Sequence, residues 1–332
     1  MRIGLDLYSI RSQPWNAFEK LAYCQRLGVQ VAHFGLEDLG TTDPQELAAI
    51  KARADELGLE IEVGMGSICE TSTAFNPQRG SAVDQTQAAL RVAASVGSRV
   101  LKVLLGNGAD RRTETPMSRH IANCVKTCKA VREQARELGI VLAVETHGDL
   151  QGREVQALID TASDDGGPRY VGACLDSGNP VTLGEDPLVT FDYLAPVIVT
   201  SHIRDSAVWS HPRGAAYQWL ALGDGNVGLE TLTRRFKEEC SQASYTLEIL
   251  TGRPPTVLPY LEDDYWAAFP DTPAWEFARF ERLVRQGLPF SGTMVAVAPG
   301  VEIPTAYQEA LRAQQLYDVE RSVAWAKRVL EV

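Results

Sequence analysis

Four apolar runs in the second half of the chain each stop at an ionisable residue. Val141-Leu142-Ala143-Val144 stops at Glu145, and Val171-Gly172-Ala173-Cys174-Leu175 at Asp176. Val197-Ile198-Val199-Thr200-Ser201 stops at His202, and Tyr245-Thr246-Leu247 at Glu248. Unbroken apolar runs of this length read as strands buried on both faces of a parallel sheet. In α/β proteins, chemistry collects beyond the carboxyl ends of such strands. If the strands close into a barrel, the four side chains converge on one rim. Three carboxylates within a few ångströms repel and cannot all stay ionised without a countercharge. A divalent cation resolves the repulsion. Three carboxylates and one imidazole suit a borderline-hard ion, Mn²⁺ first, then Co²⁺, Mg²⁺ or Zn²⁺.

Other residues stand near these strand ends. His147 is two residues past Glu145, so in an extended chain the two point the same way. That makes His147 either an acid/base beside Glu145 or a hydrogen-bond partner that orients it. Lys102 lies inside an apolar strand, where alternation can turn it inward toward a substrate or into an ion pair. Arg204 either binds a substrate oxygen or pairs with Asp205. Asp205 either orients His202 or joins the metal shell. Trp209, His211, Arg213 and Trp219 fall in a long segment, residues 203–226, that reads as a loop. Tryptophan with polar neighbours there suits either stacking on a small ligand or a mobile surface loop.

These residues need a scaffold, and strand and helix patterns alternate to supply it. Strands are expected at residues 2–7, 29–34, 59–63, 99–105, 140–144, 170–175, 197–200 and 245–247. Helices are expected between them. Asp43 and Pro44 open the second helix as N-cap and first helical residue, and Met65, Gly66 and Ser67 read as a loop after the third strand. Eight such units within about 250 residues match a (β/α)8 TIM barrel. Gly223-Asp224-Gly225 has no strand before it, so no dinucleotide fingerprint is present. The expected organisation is a barrel over residues 1–255 and a C-terminal helical extension over residues 256–332. The extension packs on the barrel or in a subunit interface. Residues 275–286 and 306–330 are its amphipathic stretches.

Composition narrows the function classes. The 332 residues carry a formal charge of −11, which argues against nucleic acid or an anionic membrane as partner. No run of about 18 apolar residues suggests a membrane span. The first strand starts at once, without a signal peptide. The six cysteines sit in apolar patterns and read as free thiols in a reducing cytoplasm. Cys124 and Cys128 lack a second pair at zinc spacing.

Taken in order, several motifs resemble the xylose-isomerase-like superfamily of metal-dependent sugar isomerases and epimerases. Ile3-Gly4-Leu5-Asp6-Leu7-Tyr8-Ser9 is similar to its first strand. Glu145-Thr146-His147-Gly148 resembles its Glu-Asn-His-Gly, with Thr146 in place of Asn. Asp176-Ser177-Gly178-Asn179 matches Asp-x-Gly-Asn, and His202-Ile203-Arg204-Asp205 matches His-x-Lys-Asp with Arg204 for Lys. Gly223-Asp224-Gly225-Asn226-Val227 resembles Gly-x-Gly-x-Val, and Glu248 closes the set. The resemblance covers residues 1–250 and implies Glu145, Asp176, His202 and Glu248 as metal ligands. It implies that the two glutamates face opposite sides of a keto-sugar or polyol and move protons through an enediolate. His147 is the third catalytic candidate. Asn179, Arg204, Lys102, Trp209 and His211 are the candidates for holding the substrate. A leaving group beta to the carbonyl would turn the same residues to lyase or dehydratase chemistry, on an inosose or an oxidised C-glycoside. A homo-oligomer is expected, or a hetero-oligomer formed through the extension. A DNA-repair phosphodiesterase is disfavoured by the negative charge and by only five histidines.

Overall fold

Eight parallel strands form the centre of the chain. The computed structural model describes residues 1–298 and 300–332. The barrel strands are β1 (Arg2–Asp6), β2 (Val31–Gly35), β3 (Glu60–Ser67), β4 (Val100–Leu104), β5 (Val141–Glu145), β6 (Val171–Asp176), β7 (Ile198–His202) and β10 (Ser244–Leu247). Their hydrogen-bonded order is β10-β1-β2-β3-β4-β5-β6-β7. The ring closes just past β7, where Ile203 N donates to Thr246 O (2.7 Å) and Glu248 N donates to Ile203 O (3.0 Å). The expected (β/α)8 TIM barrel is therefore observed, with all eight strands within a few residues of their expected positions.

Helices α1 (Ala17–Leu27), α2 (Pro44–Glu56), α3 (Ala82–Ser95), α4 (Met117–Leu138), α5 (Gly152–Ala162), α6 (Pro187–Leu194) and α7 (Leu229–Glu239) cover the outside. Local sequence sets their ends. Asn16 and Glu19 form a reciprocal capping box at the start of α1, as do Ser81 and Asp84 at α3. Asp43 accepts from Gln45 N and Glu46 N, with Pro44 as the first residue of α2. The helices' apolar faces meet the outward faces of the strands in one core, containing Leu21, Leu90, Val131, Leu158, Phe191 and Phe236.

Three local expectations are corrected. Residues 65–67 continue β3 instead of forming a loop. Residues 203–226 hold an antiparallel hairpin, β8 (Asp205–His211) and β9 (Gly214–Leu220), to which β11 (Thr256–Leu258) adds a third strand. The extension accordingly begins with a strand. It continues with α8 (Asp263–Ala267), α9 (Ala274–Gln286) and α10 (Thr305–Leu330), the last unbroken.

The extension packs in two places. Val319, Val323, Ala326 and Leu330 of α10 join the main core, and Lys327 Nζ caps α1 by donating to Leu27 O (2.8 Å). Tyr265, Phe269, Phe280 and Val284 build a second cluster with Val208, Tyr217 and Leu258 of the hairpin sheet. That second cluster walls the carboxyl-terminal mouth of the barrel.

Candidate active site

Glu145, Asp176 and His202 are the last residues of β5, β6 and β7, and Glu248 follows β10 by one residue. Register places Asp176 beside His202. One donor atom from each of the four lies within 4.8 Å of the others, and all four residues are buried. His202 Nδ1 stands 2.9 Å from Glu145 Oε1 and 3.6 Å from Glu248 Oε2. Asp176 Oδ1 accepts from Gly178 N and Asn179 N, both at 2.7 Å, which fixes the loop after β6.

The protein supplies part of the countercharge itself. Lys102 Nζ lies 3.0 Å from Glu145 Oε2. Arg204 Nε donates to Asp176 Oδ2 at 2.8 Å, and its Nη2 reaches both Asp176 and, at 3.2 Å, Glu248 Oε2. Repulsion among the carboxylates therefore does not by itself require a cation. Burial raises the Glu145 carboxyl, but Lys102 and His202 outweigh it and hold it well below the usual carboxylate range. Burial also raises Glu248, and Arg204 and His202 bring it below its usual value. Asp176 is pushed up to about 6 by burial and by the neighbouring glutamates, despite Arg204. His202 rises to about 9 because Glu145 and Asp6 overcome the effect of burial.

The donor set fits a cation on a separate observation. Oε2 of Glu145 and Oε2 of Glu248 are buried and meet the cations of Lys102 (3.0 Å) and Arg204 (3.2 Å), while Nε2 of His202 meets Asp6 Oδ2 (3.1 Å). Three carboxylates and an imidazole, each offering one donor atom within 4.8 Å of the others, are a set that could hold a divalent cation.

A second polar row was not anticipated. Asp6, His33 and Glu62 are register partners across β1, β2 and β3. Asp6 Oδ2 lies 3.1 Å from His202 Nε2 and 3.9 Å from His33 Nε2. His33 Nδ1 lies 3.5 Å from Glu62 Oε2. Donor atoms of Asp6, His33 and His202 also lie within 4.8 Å of one another. Glu62 in turn accepts from Thr200 and Ser244, both at 2.6 Å. The one available signal was Asp6, which ends the first apolar run just as Glu145 ends the fifth.

The remaining candidates divide. His147 lines the cavity above the four residues, with Nδ1 2.9 Å from Gly106 O. A carbonyl only accepts, so that bond puts the proton on Nδ1 and leaves Nε2 as a base. Asn179, Lys102, Arg204 and Trp219 line the same cavity. The Arg204 guanidinium lies 4.9 Å from the Trp219 ring centroid.

Trp209 and His211 are corrected, because neither lines the cavity. On the hairpin Trp209 pairs with Ala216 and His211 with Gly214, whereas Tyr217 and Trp219 pair with Val208 and Ser206. Strand alternation puts the two sets on opposite faces, and Tyr217 and Trp219 are the ones that reach the cavity. Arg204 pairs with Asp176 and Glu248, not with Asp205. Asp205 neither orients His202 nor joins the cluster. Its Oδ2 accepts from Gly223 N (2.8 Å) and Gly225 N (3.0 Å). A Cβ at Gly225 would come within 2.0 Å of Asp205 Oδ1, so the second glycine of that motif is required by the close approach.

The cavity measures about 660 Å³ and is open to solvent at the barrel's carboxyl end. Charged groups line its floor, and Tyr217, Trp219, Leu258, Tyr265 and Phe269 line its wall. A polar floor under a partly aromatic wall suits a polyhydroxylated molecule of a few carbons.

Residues 21–313 match the family model described as xylose isomerase-like TIM barrel. The chain belongs to this family. A curated relative, 3-oxo-isoapionate decarboxylase of Pectobacterium atrosepticum, is 25% identical over 191 residues. That stretch is 57% of this chain and spans 61% of the relative's length. Among solved structures, a D-psicose 3-epimerase determined in the presence of D-fructose superposes with a TM-score of 0.63 at 14% identity, over 99% of both chains. A xylose isomerase-like protein from Mycobacterium smegmatis in complex with magnesium gives 0.58 at 15% identity, over 85% of this chain and 96% of that one. At these identities the superpositions establish the shared barrel fold. No helix among the described residues is long and apolar enough to cross a membrane.

Proposed function

We propose that the protein is a divalent-metal-dependent isomerase or epimerase of a keto-sugar or polyol. One observation carries this reading. Glu145 and Glu248 come from strands separated by β6 and β7, yet both flank His202 Nδ1, and a donor atom of each lies within 4.8 Å of donors from Asp176 and His202. Glu145, Asp176, His202 and Glu248 would hold the ion. A cation held there supplies Lewis-acid polarisation of a carbonyl. The protein's own groups do the rest. Lys102 and Arg204 keep both glutamates ionised and so able to take a proton. Lys102 turning to a substrate oxygen would release Glu145 Oε2 as the base. Glu145 then removes the proton beside the carbonyl, and Glu248, after taking up a proton from solvent through the open cavity, returns it on the other face. Asn179 and Trp219 hold the hydroxyl groups and ring face.

A second reading, a lyase acting on a keto-sugar, inosose or oxidised C-glycoside, has its own support. The curated relative is a decarboxylase of a 3-oxo acid, and His147 Nε2 faces the same cavity as a base in the neutral imidazole. Carbon–carbon cleavage needs only one face for reprotonation, so His147 and a single glutamate would suffice.

The two readings part in deuterated water. Keto-sugars incubated with Mn²⁺-loaded protein are followed by NMR. Deuterium gained with inversion means epimerisation, and loss of a substituent or of carbon dioxide means lyase chemistry. Neither event, across ketoses, keto-acids and inososes, would overturn both.

A further inference from the structure

The cations of the cavity are not equally engaged. Lys102 pairs with Glu145, Arg204 with Asp176 and Glu248, and Arg111 with Glu154 and the carbonyls of Asp149 and Ala268. Arg253 differs. It stands five residues beyond Glu248, between β10 and β11, and lines the cavity beside Leu250, Val257 and Leu258. Its side chain is half-buried, its Nε is buried without a hydrogen-bond partner, and among the described residues the guanidinium pairs with no carboxylate. Its backbone is pinned instead, since Gln218 Nε2 donates to Arg253 O at 3.0 Å. A second guanidinium adds to the positive field on this side. Arg11 donates to Thr251 O (3.2 Å) and lies over Tyr8, a cavity residue, at 4.7 Å. Burial and the neighbouring Arg253 both hold Arg11 below its usual value.

The chain has 43 acidic against 32 basic residues. An arginine left without an acid, next to another arginine, is thus conspicuous, and an anion would find two positive groups on this side of the cavity. Guanidinium is a planar fork of donors that matches a carboxylate in two parallel hydrogen bonds. One disengaged fork matches a monoanion. We propose that the substrate is a sugar acid, a keto-sugar bearing a carboxylate, and that Arg253 binds that carboxylate. This rests on the keto-sugar reading above and deepens it by assigning the charge of the substrate and the residue that selects it.

D-fructuronate and D-fructose provide the test, because they differ only in a carboxylate for the terminal hydroxymethyl group. Isothermal titration of Mn²⁺-loaded protein with each should give tighter binding of the acid by about tenfold to a hundredfold, as for a charge-assisted bidentate contact. Arg253→Gln should abolish the difference, with metal content and melting temperature unchanged, and Arg253→Lys should restore part of it. Raising the salt concentration should weaken only the acid. Equal affinities in the wild type would overturn the proposal and leave the keto-sugar reading standing. So would a preference for D-fructose 6-phosphate over the acid, or a preference for the acid that survives Arg253→Gln. Heat from neither sugar, with or without Mn²⁺, would end the keto-sugar reading and the proposal together.

Discussion

Lys102 Nζ stands 3.0 Å from Oε2 of Glu145, while the other oxygen of the same carboxylate lies 2.9 Å from His202 Nδ1. Glu145 is thus shared between an internal cation and the group of donors proposed to hold an external one. Removing the lysine leaves a buried carboxylate without its partner, which typically costs about 3–5 kcal/mol. Lys102→Met should lower the melting temperature of chelator-treated protein by several degrees. It should also tighten Mn²⁺ binding, since a competing positive charge is gone. Differential scanning calorimetry with and without Mn²⁺ reads both. A variant as stable as wild type without metal, and no tighter in binding it, would mean that the ion pair does not buffer the site.

Metal holding and proton transfer should separate by residue. Asp176→Asn and His202→Ala are expected to lose Mn²⁺, measured by elemental analysis after dialysis. His147→Ala is expected to keep it, because His147 bonds Gly106 O and stands outside the four-residue group. Loss of metal from His147→Ala as complete as from His202→Ala would require a different ligand set.

Much of this site is legible in the sequence. An apolar strand that stops at a carboxylate reports both the strand and its chemical end, and Glu145, Asp176 and Glu248 were readable in that way. Register did the rest, and the same property explains what could not be read. His33 and Glu62 are single ionisable residues inside apolar strands, and only pairing with β1 shows that they join Asp6 in one row. The hairpin of residues 205–220 was hidden because its turn is Pro212-Arg213, whereas two-residue hairpin turns favour Asn-Gly or Asp-Gly. Without the hairpin, alternation has nothing to act on in the sequence, and Trp209 stands there as a substrate-holding candidate while Trp219 does not.

That correction is itself testable. Trp219 donates its indole N–H to Gly178 O (3.0 Å) and walls the cavity. Trp219→Ala should raise KM by about tenfold or more, on the order of one lost stacking contact and its packing. Trp209→Ala should leave KM within about twofold and act on melting temperature alone. The reverse order of effects would mean that the hairpin presents its other face to the substrate.

Glu185 offers a pH test away from the chemistry. It is buried and accepts from Gly152 N (3.2 Å to Oε1, 3.1 Å to Oε2) and from Thr190 Oγ1 (2.7 Å). Burial raises its carboxyl from 4.5 to about 7. A folded-state value above the unfolded one means that folding favours the protonated form. Its contribution is complete below about pH 4.5 and is lost as pH rises through 7. Glu185→Gln mimics the protonated form. The melting temperature of the variant minus that of wild type should therefore grow from near zero at pH 4.5 to several degrees at pH 8. A difference that does not change with pH would exclude this titration.

The two-glutamate mechanism meets its most direct test in kcat measured beside metal content for Glu145→Gln, Glu248→Gln and His147→Ala. Glutamine keeps the size and one carbonyl oxygen but cannot act as a base at neutral pH. Removing a general base typically costs about 10²–10⁴-fold in rate. Both glutamine variants should fall by that order while retaining most of their Mn²⁺, and His147→Ala should fall less. A Glu248→Gln enzyme with full metal and wild-type kcat would contradict the mechanism, and His147→Ala as the most damaging of the three would move the chemistry to a lyase.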